Sequence, residues 1–266
     1  MDINSARLIF FSPTETTARI VDGIAQGIRP DIVNSIDLTP PENRSRDFEE
    51  MRDELAIIGT PVYGGRIPTE AAHRLRQIKG NNTPAVIIVV YGNREYEDAL
   101  LELRDIVTDL GFVPIAGGAF IGEHSYDSEN TPIATGRPDP QDIEKAKQFG
   151  ESIQEKIGKI RTLDDMPPLN VPGDFPYKKW DPPSDMAPIT VEALCTLCGE
   201  CATVCPTAAI TVGDAVVTDP KECIYCSACV KKCPTGARVW DSLWIEQVTK
   251  RLSANCRERK EPQIYL

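Results

Sequence analysis

The apolar positions of this chain change period several times over its first 160 or so residues. Runs in which nearly every side chain is apolar, such as "ARLIFFS", "LAIIGTPVY" and "PAVIIVVYG", alternate with longer stretches in which apolar residues recur every three or four positions. The first kind predicts strands buried on both faces, the second amphipathic helices. Strands are expected at "ARLIFFS", "DIVNSIDL", "LAIIGTPVY", "PAVIIVVYG" and "FVPIAGGAFIG", with helices over residues 14–28, 69–78, 95–110 and 140–158. In "YEDALLELRDIVTDLG" the stripe is Ala99, Leu100, Leu103, Ile106, Val107 and Leu110, and Gly111 supplies the stop. Five strands separated by helices predict an α/β fold with a doubly wound parallel sheet.

Periodicity then ceases. Residues 164–188, "DDMPPLNVPGDFPYKKWDPPSDMAP", are proline-rich and read as an extended, semi-rigid connector, with Phe175, Tyr177 and Trp180 suited to packing along a domain surface. A compact cysteine-rich segment follows, then an amphipathic stretch, "WDSLWIEQVTKRLSANC", and an apolar-ended tail, "RKEPQIYL", expected to dock on the sheet. The expected units are residues 1–162, a connector over 163–187, a cysteine module over 188–240, and a C-terminal helix and tail over 241–266.

A hydrophobic content of 41% suffices for a real core, and the longest apolar runs are far too short to span a bilayer. The N-terminal "MDINSARLIFF" lacks the basic and apolar regions of a secretory signal, so a cytoplasmic location is expected. The net charge of -11 is uneven: acids outnumber bases 31 to 20 over residues 1–187, but the counts are 5 and 4 over 188–240 and 4 and 5 over 241–266. Such a surface repels phosphate backbones, which argues against nucleic acid and allows a basic protein partner.

Eight of the nine cysteines lie between 195 and 233, in two runs with one spacing, "CTLCGECATVC" and "CIYCSACVKKC", each followed by proline. In a cytosolic chain this arrangement indicates metal ligation over disulfides. Zinc sites use separated pairs of ligands; three cysteines two residues apart, then a fourth after three more and a proline, is the spacing of bacterial ferredoxins for [4Fe-4S] clusters. Two runs imply two clusters with crossed ligation: Cys195, Cys198, Cys201 and Cys233 for one, Cys223, Cys226, Cys229 and Cys205 for the other. Cys256 stands outside both runs and reads as an ordinary helix cysteine.

In doubly wound sheets, ligands bind beyond the carboxyl ends of the strands. After the first strand comes "SPTETT", a hydroxyl-rich helix start suited to a terminal phosphate or simply to capping its own helix. Without a lysine or a G-x-G-x-x-G it is neither a Walker-type nor a dinucleotide site. "TPVYGGRIP" and "YGNREYEDA" follow the third and fourth strands, offering glycines for close approach and tyrosines able to stack on a flat ring. Flavin mononucleotide fits this combination. His124, in "GEHSY" after the fifth strand, is open to proton transfer, to a domain contact or to a structural hydrogen bond. Arg66 and Arg94 are open to steering a partner or to plain solvation, and His73 reads as surface.

"FSPTETT", "TPVYGGRIP", "YGNREYEDALLEL", "GEHSY" and the cysteine module together resemble the flavodoxin–ferredoxin fusion proteins found mainly in anaerobic bacteria and archaea. The resemblance spans nearly the whole chain. It implies a flavodoxin-like FMN domain and a two-[4Fe-4S] ferredoxin domain, with phosphate contacts from Ser12, Thr14, Thr16 and Thr17. It further implies Tyr63 and Tyr96 as ring neighbours, with Gly64, Gly65, Gly92 and Asn93 in the flanking loops. Glu15, Pro61, Val62 and Tyr91 complete the expected cofactor-binding set. Flavodoxins commonly carry glycine where Glu15 stands, and a carboxylate beside a dianionic phosphate is repulsive unless it turns outward.

The expected function is electron transfer between FMN and two clusters and on to a redox protein, a ferredoxin or a low-potential oxidoreductase, with a homodimer among the open assemblies. No hydrolytic triad is present. Two other classes stay open: an FMN-dependent reductase of a small molecule fed by the clusters, and a redox sensor or adaptor.

Overall fold

The computed structural model describes residues 3–164 and 166–266. The first two residues of the segment read against a secretory signal, and Asp165 of the connector, lie outside the described residues. Strand β1 (Ser5–Phe10) leads into α1 (Thr16–Ile28), β2 (Ile32–Asp37), β3 (Leu55–Pro61), α2 (Thr69–Leu75), β4 (Thr83–Tyr91), α3 (Ala99–Asp109), β5 (Phe112–Ile121) and α4 (Pro140–Lys159). Every residue of β3 and β4 is buried, which is why these strands read as unbroken apolar runs. Edge strand β2 is mostly exposed.

The five strands pair in parallel in the order 2-1-3-4-5, the flavodoxin-like doubly wound arrangement. One face packs on α1 and α4 through Ile20, Ile24, Phe149 and Ile153. The opposite face packs on α2, α3 and the connector residues Leu169 and Val171. Helices α1 and α4 touch at their backbones: a Cβ on Gly27 would stand 2.0 Å from the Lys147 carbonyl oxygen, and one on Gly150 2.2 Å from that of Ile24.

The cysteine module adds β6 (Ile189–Thr190), α5 (Glu200–Thr203), β7 (Ile210–Val212), β8 (Val216–Thr218), α6 (Ala228–Lys231) and β9 (Arg238–Val239), followed by α7 (Leu243–Asn255) and β10 (Gln263–Tyr265). Here the sheet departs from the five strands expected. The tail supplies a sixth, β10, antiparallel to β5, with Ile264 opposite Gly118. Beyond β4, β5 would otherwise present a bare row of backbone donors and acceptors, and the tail satisfies it. Asn93 anchors the approach: its Nδ2 donates to the carbonyls of Cys256 and Glu258, both at 2.8 Å, and its Oδ1 accepts from the Lys260 N–H at 3.2 Å.

The Gly27 contact leaves no room for a side chain. Gly27→Val is expected to destabilise the protein by about 1–3 kcal/mol through overpacking. Gly158→Ala, on the same α4 but facing open space, is expected to be neutral or stabilising by about 0.5–1 kcal/mol. Urea unfolding of the two variants checks the pair.

Candidate functional site

The loops after β1, β3, β4 and β5 converge at the carboxyl edge of the sheet around one cavity, with Thr14, Thr16, Pro61, Val62, Tyr63, Gly64, Tyr91, Gly92 and His124 in its lining. The other walls come from distant sequence: Trp180 of the connector, Tyr225 of the second cysteine run, and Trp244 and Leu252 of α7. Sequence reasoning missed these. The sequence places Trp180 along a domain surface, but nothing local marks which surface a connector aromatic will cover.

At the phosphate-type corner, α1 begins at Thr16, so the Thr16 and Thr17 N–H groups have no helical carbonyl to bond. The Thr17 hydroxyl is fully buried and has no hydrogen-bond partner among the described residues. A buried orphan donor beside free amides at a helix start suits an anionic oxygen, so this corner fits a phosphate. Ser12 is used internally: its hydroxyl accepts the Ala18 N–H at 3.1 Å and its own N–H donates to Thr39 Oγ1 at 2.8 Å. Glu15 holds the left-handed conformation, φ 65°, that glycine adopts without strain. Its carboxylate turns outward to Lys232 Nζ of the cysteine module, 2.8 Å away, and so away from the repulsive placement.

Of the residues expected at the ring and in its flanking loops, Tyr63, Gly64 and Gly92 line the cavity, and Tyr96, Gly65 and Asn93 do not. Tyr96 is outside the cavity lining; it is buried, 5.4 Å from Tyr91 between ring centroids, and its hydroxyl meets Gln263 Oε1 at 2.6 Å and the Tyr265 hydroxyl at 2.8 Å. Asn93 faces the tail as described above. The glycines do permit close approach, but by this chain's own side chains. A Cβ on Gly64 would stand 2.1 Å from Trp180 Cδ1, one on Gly92 2.3 Å from His124 Cδ2, and one on Gly65 1.7 Å from Glu97 Oε2.

Burial pulls the His124 imidazole down to about 4, with Lys231 and Arg94 adding to the effect. Its Nδ1 accepts the Tyr126 N–H at 3.0 Å. Burial tends to raise Glu123, but Lys231 and the Gly136 N–H outweigh it and hold its carboxyl below the usual range. Burial also lifts the Tyr63 hydroxyl well above its ordinary value, with Cys226, Tyr126 and Cys223 adding to it. Tyr63 and Tyr225 of the second cysteine run line the same cavity. Tyr225, lying between Cys223 and Cys226, stacks on Trp240 with centroids 5.9 Å apart and rings 8° from parallel.

Of the two expected arginines, Arg66 is held by Glu102 at 2.6 and 2.7 Å and lies over the Tyr177 ring, and Arg94 pairs with Glu97 at 2.9 Å. His73 is exposed.

The two cysteine runs repeat one backbone form. Leu197 and Gly199 in the first run, and Tyr225 and Ser227 in the second, all have positive φ, at 56°, 83°, 63° and 60°. Left-handed residues interspersed in a tight loop turn successive N–H groups inward and form an anion-binding nest of the kind found at iron–sulfur sites. Cys195, Cys198, Cys201 and Cys233 line one hollow. Cys205 is electrostatically adjacent to Cys223, Cys226 and Cys229. In each run the fourth cysteine precedes Pro-Thr, whose hydroxyl approaches the sulfur at 3.6 Å for Cys205 and 3.8 Å for Cys233. Among the described residues, no three or more His, Cys, Asp or Glu side chains converge as a single-ion site. Burial raises the Cys223 thiol to about 11 and raises that of Cys226 as well.

Residues 187–234 match the family model described as a 4Fe-4S dicluster domain. All eight run cysteines lie inside the match, which supports 4Fe-4S ligation by this segment. The chain thus joins a flavodoxin-like sheet to a ferredoxin-like 4Fe-4S segment. No curated protein matches the chain by sequence. Among solved structures, a flavodoxin from the domain Archaea is 13% identical, aligned over 58% of this chain and 99% of its own, with a TM-score of 0.36. The Fusobacterium nucleatum flavodoxin bound to flavin mononucleotide is 15% identical over 57% and 98%, TM-score 0.39. Rubredoxin oxygen:oxidoreductase from Desulfovibrio gigas is 16% identical over 59% and 36%, TM-score 0.41. The statement of fold rests on the strand order. No helix among the described residues is long and apolar enough to cross a membrane.

The His124 environment gives a signed pH dependence. With a folded value near 4 against 6.5 unfolded, the unfolded chain binds the extra proton, so stability is full above about pH 6.5 and falls as the pH drops toward 4. Near pH 5, this group alone is expected to contribute a slope of roughly 1.4 kcal/mol per pH unit. His124→Gln should remove that component, as read from unfolding free energies measured at pH 7 and pH 5.

Proposed function

We propose that this chain is an electron-transfer protein that carries FMN at the carboxyl edge of its sheet and two [4Fe-4S] clusters in its cysteine module, and that it exchanges electrons with a separate redox protein. One observation carries the reading: Tyr225, flanked by Cys223 and Cys226, lines the same cavity as Thr14, Thr16 and Tyr63. A ligand loop and a flavin-type cavity thus share a wall. When bound, FMN supplies one- and two-electron chemistry and each cluster supplies one-electron transfer.

The chain's own residues divide the remaining tasks. Thr16 and Thr17 hold the phosphate by their N–H groups and the Thr17 hydroxyl, while Tyr63, Tyr91, Trp180 and Trp244 wall the cavity and exclude water. The set Cys223, Cys226, Cys229 and Cys205 serves the cluster nearer the cavity. The set Cys195, Cys198, Cys201 and Cys233 serves the outer one, and the exposure of Cys198 makes that side the partner's approach. An electron carrier is favoured over a reductase by the state of the cavity's titratable groups. His124 stays neutral with Nδ1 engaged, Glu123 stays ionised against Lys231, and the phenols of Tyr63, Tyr91 and Tyr126 are all raised. Among these described groups none is poised near neutrality.

Anaerobic purification followed by iron, sulfide and flavin analysis tests the reading. About eight irons and one FMN per chain are expected, with reduction by a reduced ferredoxin and none by NAD(P)H alone. Iron-replete protein that takes up no FMN when offered it would remove the flavin half of the proposal. Thr17→Val is expected to weaken FMN binding by roughly tenfold, the worth of one hydrogen bond to a charged group, as measured by quenching of FMN fluorescence.

A further inference from the structure

Among the described residues three arginines are almost wholly buried, and two of them have carboxylate partners. Arg74 pairs with Glu70 at 2.8 Å, and Arg137 is forked onto Asp142. Arg238 differs. It is 2% exposed, and among the described residues no carboxylate pairs with it. Its Nη1 donates to Thr190 Oγ1 at 2.6 Å, and Nη2 donates to the Pro188 carbonyl and to Thr218 Oγ1, both at 2.8 Å. Its Nε has no hydrogen-bond partner among the described residues. Neutral oxygens orient a guanidinium but do not neutralise it, and an uncompensated buried charge is strongly unfavourable.

Among the described residues, Asp185, Glu192 and Asp214 line a neighbouring hollow with Arg238 without pairing with it, and the sulfur ligands come closer. Arg238 lines the hollow formed by Cys195, Cys198, Cys201 and Cys233, while its Nη2 lies 3.9 Å from the sulfur of Cys229, in the other set. The position also is fixed by backbone pairing, because Arg238 opens β9 opposite Thr190 of β6.

We propose that Arg238 is the common counter-ion of the two cluster sites, a permanent positive charge that raises the reduction potential of both. The inference rests on the two-cluster reading above. Reduction of a cluster by one electron adds one negative charge beside the guanidinium, and attraction across a water-excluded interior is strong. Net charge near a cluster is one of the determinants of its potential, so Arg238 favours the reduced state at each site. That no carboxylate among the described residues pairs with Arg238 is part of the device, because a paired acid would cancel the field.

The test compares wild type, R238Q and R238K as full-length, anaerobically reconstituted protein, with iron and sulfide analysis followed by redox titration against dithionite monitored by electron paramagnetic resonance. Wild-type protein without 4Fe-4S clusters would overturn the underlying reading, whatever Arg238 does. With clusters loaded, R238Q is expected to lower both potentials by at least tenfold in the one-electron equilibrium, which is 59 mV, and R238K to shift them less. R238Q fully loaded with both potentials inside that bound, or with only one displaced, overturns the common role. Should R238Q fail to take up iron, R238K decides. Loading with near wild-type potentials supports the charge, while failure of both variants shows that the hydrogen bonds to Thr190, Pro188 and Thr218 are what matters and overturns the proposal.

Discussion

The Arg74 guanidinium, with no exposure to solvent, donates to the carbonyls of Leu38, Thr39, Pro40 and Pro206 while Glu70 offsets its charge. Three of those carbonyls belong to the loop after β2; the fourth follows Cys205, the last cysteine of the first run. One buried cation therefore sets the height of the cysteine module above the carboxyl edge of the sheet. Electron transfer depends steeply on separation, and a module free to swing on a proline-rich connector would have no defined one. Ile224, packed against the sheet's core cluster, and Tyr225, hydrogen-bonded to the Pro183 carbonyl, complete the seating.

Ion pairs across the same junction have a different task. Lys231 and Lys232, adjacent at the end of the second run, meet Glu123 and Glu15 at the ends of β5 and β1. The Lys232–Glu15 pair is substantially exposed, and such pairs contribute little stability. Its value is geometric: it draws the Glu15 carboxylate away from the mouth of α1, so that the free amides there remain available to an anion. The acidic excess of the first 187 residues and the two lysines of the module are then complementary at this contact.

Much of the fold was legible because burial on both faces writes itself into sequence as unbroken apolar runs, and helices as stripes. The cysteine runs were legible because ligand spacing is a local property. What could not be read depends on contacts between distant segments. "QIY" is too short to show a period, so β10 emerges only once β5 has an open edge to fill. Asn93 and Tyr96 sit in a loop whose composition suits a cofactor, yet their hydrogen bonds go to residues more than 160 positions away. Gly64 and Gly92 signalled close approach correctly, but not whether the approaching ring belongs to a ligand or to Trp180 and His124. Arg74 and Arg238 look like any surface arginine until burial is known.

The internal repeat of the cysteine module makes its asymmetry interpretable. Leu197 and Tyr225 occupy equivalent places, each just before the second cysteine of its run and each with positive φ. The same backbone strain is therefore accepted twice, as a repeated nest requires. Their surroundings are opposite: Tyr225 is buried against the sheet cavity, whereas Leu197 is 45% exposed, near the exposed Leu194 and Cys198. One loop has its contact supplied within the chain, and the matching loop presents the same shape outward. Under the electron-carrier proposal above, a two-ended conductor needs such a difference, because a symmetric module would be either sealed at both ends or open at both. By docking one repeat on the sheet and leaving the other in solvent, the fold converts a duplicated ligand loop into an inner and an outer terminus.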